Sequence, residues 1–114
     1  MPVYEVQDAD APALEAASAF YARHLPLISL ALAASQDQAM TLVFPPADHS
    51  HIAWRRAAVQ ELARAHAPRR INGIAGNGQA LVAAVRYLDG AAGVTGQYLC
   101  LDDAGAGAVL GQQA

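Results

Sequence analysis

The sequence predicts an α/β fold in which about four parallel strands alternate with helical crossovers. Three observations carry this. Four short apolar runs stand apart along the chain, segments with apolar residues at three- and four-residue spacing separate them, and 114 residues fit one domain. Alternation of this kind favours a parallel sheet, because parallel neighbours need long connections that a helix supplies.

Val3 to Val6 is the first strand-like run, with Asp8 and Asp10 placed to cap a helix whose first turn holds Pro12. Leu14, Ala17, Tyr21, Leu25, Ile28 and Leu32 mark the buried stripe of that helix, which ends near Ser35 and is kinked or split by Pro26. Gln36 to Gln38 is a polar turn, and Met40 to Phe44 is a continuous apolar run suited to a strand covered on both faces. Pro45 and Pro46 end it.

Ile52, Val59, Leu62 and His66 define one side of a helix over Ser50 to Ala67, with Arg56, Gln60 and Arg64 opposite. Pro68 stops it. Ile71 to Ala75 is the third strand, and Gly73 to Gly78 supplies a glycine-rich turn in which Asn77 can cap a helix over Gln79 to Leu88. Leu81, Ala84, Val85 and Leu88 face inward there, with Gly90 just past the end. Gln97 to Leu101 is the last strand. Residues 1–103 thus form one domain, and Gly105 to Ala108 opens a flexible tail over 104–114.

Composition narrows the function. Charged residues are only 15% of the chain against roughly 25% in an average soluble domain, which points to surface covered by protein. The 28 alanines temper that inference, since alanine counts as apolar but buries little area. A net charge of −3 and seven scattered arginines give no basic stripe for phosphates, so nucleic acid is not an expected partner. The longest apolar stretch, Leu25 to Ala34, is broken by Pro26 and Ser29, and the amino terminus does not read as a signal peptide; no membrane association and a cytoplasmic location are expected. The one cysteine, Cys100, sits in an apolar run and reads as an inert thiol. The absence of any lysine excludes a Schiff-base lysine and the lysine of a phosphate-binding P-loop.

The run Glu61-Leu62-Ala63-Arg64-Ala65-His66-Ala67-Pro68-Arg69-Arg70-Ile71-Asn72-Gly73-Ile74-Ala75-Gly76 resembles the "LARELAP" and "RVNAIAPG" of short-chain dehydrogenases/reductases. Ala83 to Leu88, then Val94 to Asp102, is similar to that family's "AVRYLLS" and "YVTGQVLHVDGG" ending. The resemblance covers the second half of a family member and implies a truncated Rossmann-like three-layer fold, without the glycine-rich turn that holds a dinucleotide.

The family's catalysis uses a tyrosine and a lysine four residues later, the lysine lowering the tyrosine's pKa. Here Tyr4, Tyr21, Tyr87 and Tyr98 are followed at that spacing by Asp8, Leu25, Ala91 and Asp102. Pro45-Pro46 stands where the family's serine is expected, and His24 falls near its helical asparagine. The departures weigh against hydride transfer, and no cofactor is expected for the isolated chain.

Three clusters are candidates for chemistry. His51 and Arg55, four residues apart near the family's tyrosine and lysine, form a substitute acid and anion-binding pair, to which His24 is a possible third member. Asp48, His49 and His51 are metal-ligand types at a loop-to-helix boundary, although Asp48 or Ser50 as a helix cap explains them equally. Gly76, Asn77 and Gly78 offer backbone amides for an anion at a helix start.

The leading expectation is a non-catalytic relative that works by homo- or hetero-oligomerisation, as a dimer or tetramer or with a full-length relative. The family pairs its two corresponding helices across subunits in a four-helix bundle, which selects Tyr21, Ile28, Trp54, Arg55 and Val59 as interface residues. The outer edge of the Val3–Val6 strand supplies a second reason, since an unpaired edge invites a neighbour. The alternatives are a small ligand-binding protein or enzyme built around His24, His51 and Arg55, and a subunit that completes a split oxidoreductase.

Overall fold

The computed structural model describes residues 2–7 and 10–101, so the expected Asp8 cap and the 104–114 tail lie outside the described residues. Ten elements follow one another: β1 (Val3–Glu5), α1 (Ala13–Ala19), a π turn (Phe20–His24), α2 (Leu25–Ala33), β2 (Ala39–Phe44), a 3₁₀ turn (His49–His51), α3 (Ile52–Ala65), β3 (Arg70–Ala75), α4 (Gly78–Asp89) and β4 (Tyr98–Cys100). The four strands pair in parallel in the order β1-β2-β3-β4. Tyr4, Leu42, Gly73 and Tyr98 share one row across the sheet.

This is the three-layer, Rossmann-like α/β arrangement the sequence predicts. β2 is buried at all six residues, as a continuous apolar run requires when helices cover both faces. On one face Phe20, Ile28 and Leu32 pack with Leu42, Phe44, Val59 and Leu62. On the other, Ile74 meets Ala84 and Leu88 of α4, with Leu81, Val85 and Leu99 around them.

The first helix departs from its expected stripe. Leu14 is 84% exposed and Tyr21 is exposed, whereas Ala16, Phe20, Ile28 and Leu32 are buried. Positions four apart drift by about 40° per step around a regular α-helix, so such a series cannot stay on one face unaided. The wider π turn at Phe20–His24 absorbs the drift and shifts the phase of everything before it. It also answers Pro26, which sits in the first turn of α2 and has no N–H to return to the preceding turn.

Two adjacent arginines fasten helix ends to the sheet. Arg69 donates to the carbonyls of Leu32 and Ser35, closing α2, and Arg70 donates to those of Leu88 and Ala91 at 3.1 and 2.8 Å, closing α4. Both side chains favour the negative end of the helix they cap. Among the described residues no helix is long and apolar enough to cross a membrane.

Candidate functional site

Parallel α/β sheets bind ligands outside the carboxyl ends of their strands, and there the chain gathers its buried ionisable side chains. β2 ends at Phe44 because Pro45 cannot donate to the ladder. The chain then turns at Asp48, whose Oδ1 accepts from the Ser50 amide at 2.9 Å and from the Ser50 hydroxyl. These bonds, the hydroxyl's first, hold the Asp48 carboxyl below its ordinary pKa. That cap starts the 3₁₀ turn, which ends at His51, the N-cap of α3, and places Arg55 in the first turn of α3.

His51 and Arg55 are buried, at 9% and 1% exposure, and so is the Tyr98 phenol beside Arg55. Trp54 Nε1 donates to His51 Nδ1 at 3.1 Å, which makes Nε2 the proton-bearing nitrogen of the neutral ring. Arg55 Nη1 donates to the Pro45 carbonyl at 2.9 Å and to the Tyr98 hydroxyl at 3.2 Å. Its guanidinium lies 4.9 Å from the centre of the Phe44 ring and 5.6 Å from that of Trp54. Cation–π attraction offsets part of the cost of burying that charge. Burial pushes the Tyr98 phenol up to about 12, with Arg55 pulling in the opposite direction.

A cavity of about 220 Å³ opens beside this pair, lined by Asp10, Ala11, Pro45, Pro46, Ala47, His51 and Arg55. Larger hollows lie elsewhere, one of about 380 Å³ against Val3, Glu5, Val82 and Arg86, and one of about 480 Å³ against Gln60, Arg64 and Gln97. None of the side chains that line those two is both ionisable and buried.

His24 does not join His51 and Arg55. Its Nδ1 meets the Tyr4 hydroxyl at 2.9 Å and its Nε2 meets the Gln7 carbonyl at 3.0 Å, so it braces the π turn against β1. The expected three-residue site is therefore reduced to two. Asp48 is occupied in capping, and among the described residues no three His, Cys, Asp or Glu side chains come together where an ion could sit. Gly76 and Asn77 line a different cavity of about 340 Å³, Asn77 stands at the N-cap of α4 with Gly78 as the first helical residue, and the charged side chain in that cavity is Glu5, which opposes an anion.

Of the expected interface set, Ile28, Arg55 and Val59 are enclosed in the chain's own core, Trp54 is half-buried and Tyr21 is exposed. Tyr98 and Asp10 went unnoticed as neighbours of the Arg55 region. A signal for the burial of Arg55 was present: it occupies the slot between Ile52 and Val59 in the stripe 52, 55, 59, 62, 66 that faces the sheet.

Residues 4–101 match the family model SDR-like, described as short chain dehydrogenase-like protein. No curated protein and no solved structure matches the chain.

Proposed function

We propose that this chain, which belongs to the SDR-like family of short chain dehydrogenase-like proteins, acts by associating with a second copy through α1 and α2 and does not transfer hydride. What supports the second half is the stretch that matches the family. It contains no lysine, and the start of α3 carries His51 and Arg55 near where the resemblance puts a tyrosine and a lysine. The phenol that the Arg55 guanidinium touches is Tyr98, and burial pushes it up to about 12 against the pull of that charge, so it is not primed as a proton donor or acceptor near neutrality.

The observation that carries the association is the outer face of α2. Leu25–Ala33 has no charged residue, yet Leu27 is 52% and Leu30 67% exposed. A surface helix ordinarily turns charged residues outward, and an apolar outer face marks a contact surface. Leu14 and Tyr21 extend the exposed apolar surface along α1 and the π turn.

Sedimentation or light scattering across a dilution series tests the reading. Each leucine buried on association contributes about 1.5–3 kcal/mol, so Leu27→Glu with Leu30→Glu raises the dimer dissociation constant at least tenfold while the melting of the monomer is kept. A wild-type chain that stays monomeric at every concentration overturns it.

A further inference from the structure

β1 is the outer strand of the sheet, and its outer edge is complementary to itself. We propose that this edge pairs with the same edge of a second copy, antiparallel and centred on Tyr4, so that two sheets join into one. The surface is separate from the outer face of α1 and α2, so the proposal goes beyond the association reading and does not depend on it.

The backbone sets the register. The Thr41 amide donates to the Pro2 carbonyl and the Val6 amide to the Val43 carbonyl, so Pro2, Tyr4 and Val6 are the residues that turn their backbone groups to β2. Alternation turns the N–H and C=O of Val3 and Glu5 outward, where among the described residues no strand pairs with them. Such a row is a template for another strand. When Tyr4 lies opposite Tyr4 of an antiparallel second copy, Val3 of each chain exchanges both bonds with Glu5 of the other, and every outward group finds a partner.

A charge on an edge strand ordinarily guards against pairing, and Glu5 is such a charge. This register turns the guard into a contact. Val3 and Glu5 point their side chains to the α4 face, where with Val43, Leu81, Val85 and Arg86 they line a groove of about 380 Å³. α4 runs opposite to the strands: Asn77 and Leu81 at its start share a hollow with Glu5, and Asp89 at its end shares one with Pro2. Arg86, a helical turn before Asp89, therefore stands at the Val3 end of the groove, and Glu5 of the same chain at the other. Pairing centred on Tyr4 brings the second copy's Glu5 beside Val3, which is the Arg86 end. Both side chains are exposed, and among the described residues neither forms an ion pair. The two-fold axis makes the contact twice. Pairing centred on Glu5 instead sets two carboxylates side by side, which is repulsive and selects against that register.

The test uses the full chain carrying Leu27→Glu and Leu30→Glu, which removes the α1–α2 contact and leaves the β1 edge unchanged. Sedimentation equilibrium across a dilution series is expected to show monomer and dimer in exchange. Added to that background, Glu5→Arg or Arg86→Glu alone, each at an exposed position, should raise the dissociation constant about tenfold, as two exposed ion pairs become two repulsions. The two charge reversals together restore the pairs and should bring the constant back to within about threefold of its starting value. Amide exchange reads the edge itself: the Val3 and Glu5 amides should slow as protein concentration rises. A monomer at every concentration in this background, an unchanged constant in either single reversal, a double reversal as weak as the singles, or Val3 and Glu5 exchange that ignores concentration overturns the proposal and leaves the α1–α2 reading standing. Association that is equal with and without the two leucine changes overturns the α1–α2 reading and supports this one.

Discussion

The Arg55 guanidinium donates through Nη1 to the Tyr98 hydroxyl at 3.2 Å, so the first turn of α3 and the start of β4 are joined by one buried charge-assisted bond across β3. Sequence separates the two by 43 residues.

A double-mutant cycle isolates that bond. Tyr98→Phe removes the acceptor and is expected to cost about 1.5–3 kcal/mol, the range for a hydrogen bond to a charged group. Arg55→Met costs more, because it also strips the Pro45 carbonyl of its donor. In the double variant the two losses are less than additive by at least about 1 kcal/mol, read from urea unfolding. Additive losses would show that the contact contributes nothing.

Alkali tests the same pair through a proton. The Tyr98 phenol is pushed up to about 12 by burial, above the ordinary phenol value of 10.0 that it takes in the unfolded chain. A group raised in the folded state contributes stability that is complete below its unfolded pKa and is lost as pH rises through its folded pKa. Stability should therefore be flat up to about pH 10 and fall by at most about 1.4 kcal/mol per pH unit between there and 12. Tyr4 is also raised by burial and contributes in the same direction. Comparing wild type with Tyr98→Phe isolates the Tyr98 share, and identical alkaline transitions would refute it.

Gly73 lets β3 and α3 approach. A Cβ at that position would lie 2.8 Å from Val59 Cγ2, 3.2 Å from Phe44 Cε2 and 3.3 Å from Tyr98 Cδ1. Gly73→Ala is expected to cost about 1–3 kcal/mol by overpacking. Val59→Ala removes the nearest atom, so adding it to Gly73→Ala should cost less than Val59→Ala costs alone. Thermal melts of the three variants decide this.

Much of this fold was legible because its strands are short, apolar and separated by periodic helices: Met40 to Phe44 and Ile71 to Ala75 were placed within a residue of β2 and β3. The phase of the first helix was not, since a π turn shifts the buried face and no residue type announces one. Leu14 read as core and is exposed for that reason, while Phe20 was passed over and is buried. In the candidate site, the pairing of His51 with Arg55 followed from helical spacing. Its closure by Tyr98 and Asp10 depends on contacts between distant segments, which periodicity does not encode. The place of His24, bonded to Tyr4 and Gln7, is likewise not legible in the sequence, because a histidine beside a catalytic-looking pattern and one bracing a strand have the same sequence signature.

Asn72 offers the sharpest test of a buried polar side chain. It is fully buried, its Nδ2 donates to the Val94 carbonyl at 3.0 Å and its Oδ1 accepts from the Gln97 amide at 3.0 Å, so it tethers β3 to the loop that leads into β4. Asn72→Ala loses both bonds and is expected to cost about 3 kcal/mol at every pH, with the Val94 carbonyl and Gln97 amide left to find other partners. Asn72→Asp keeps the acceptor for Gln97, but as a carboxylate it has no proton for Val94 and buries a charge against a carbonyl. Burial raises such a carboxyl above its unfolded pKa, so its neutral form is the one the fold favours, and stability is greatest in acid and lost as pH rises. The Asn72→Asp variant should therefore approach wild type near its unfolded carboxyl pKa and fall to the Asn72→Ala level or below at neutrality. Parallel melts at the two pH values check this, and a pH-independent gap between Asn72→Asp and wild type would show that the side chain's two bonds do not hold the loop.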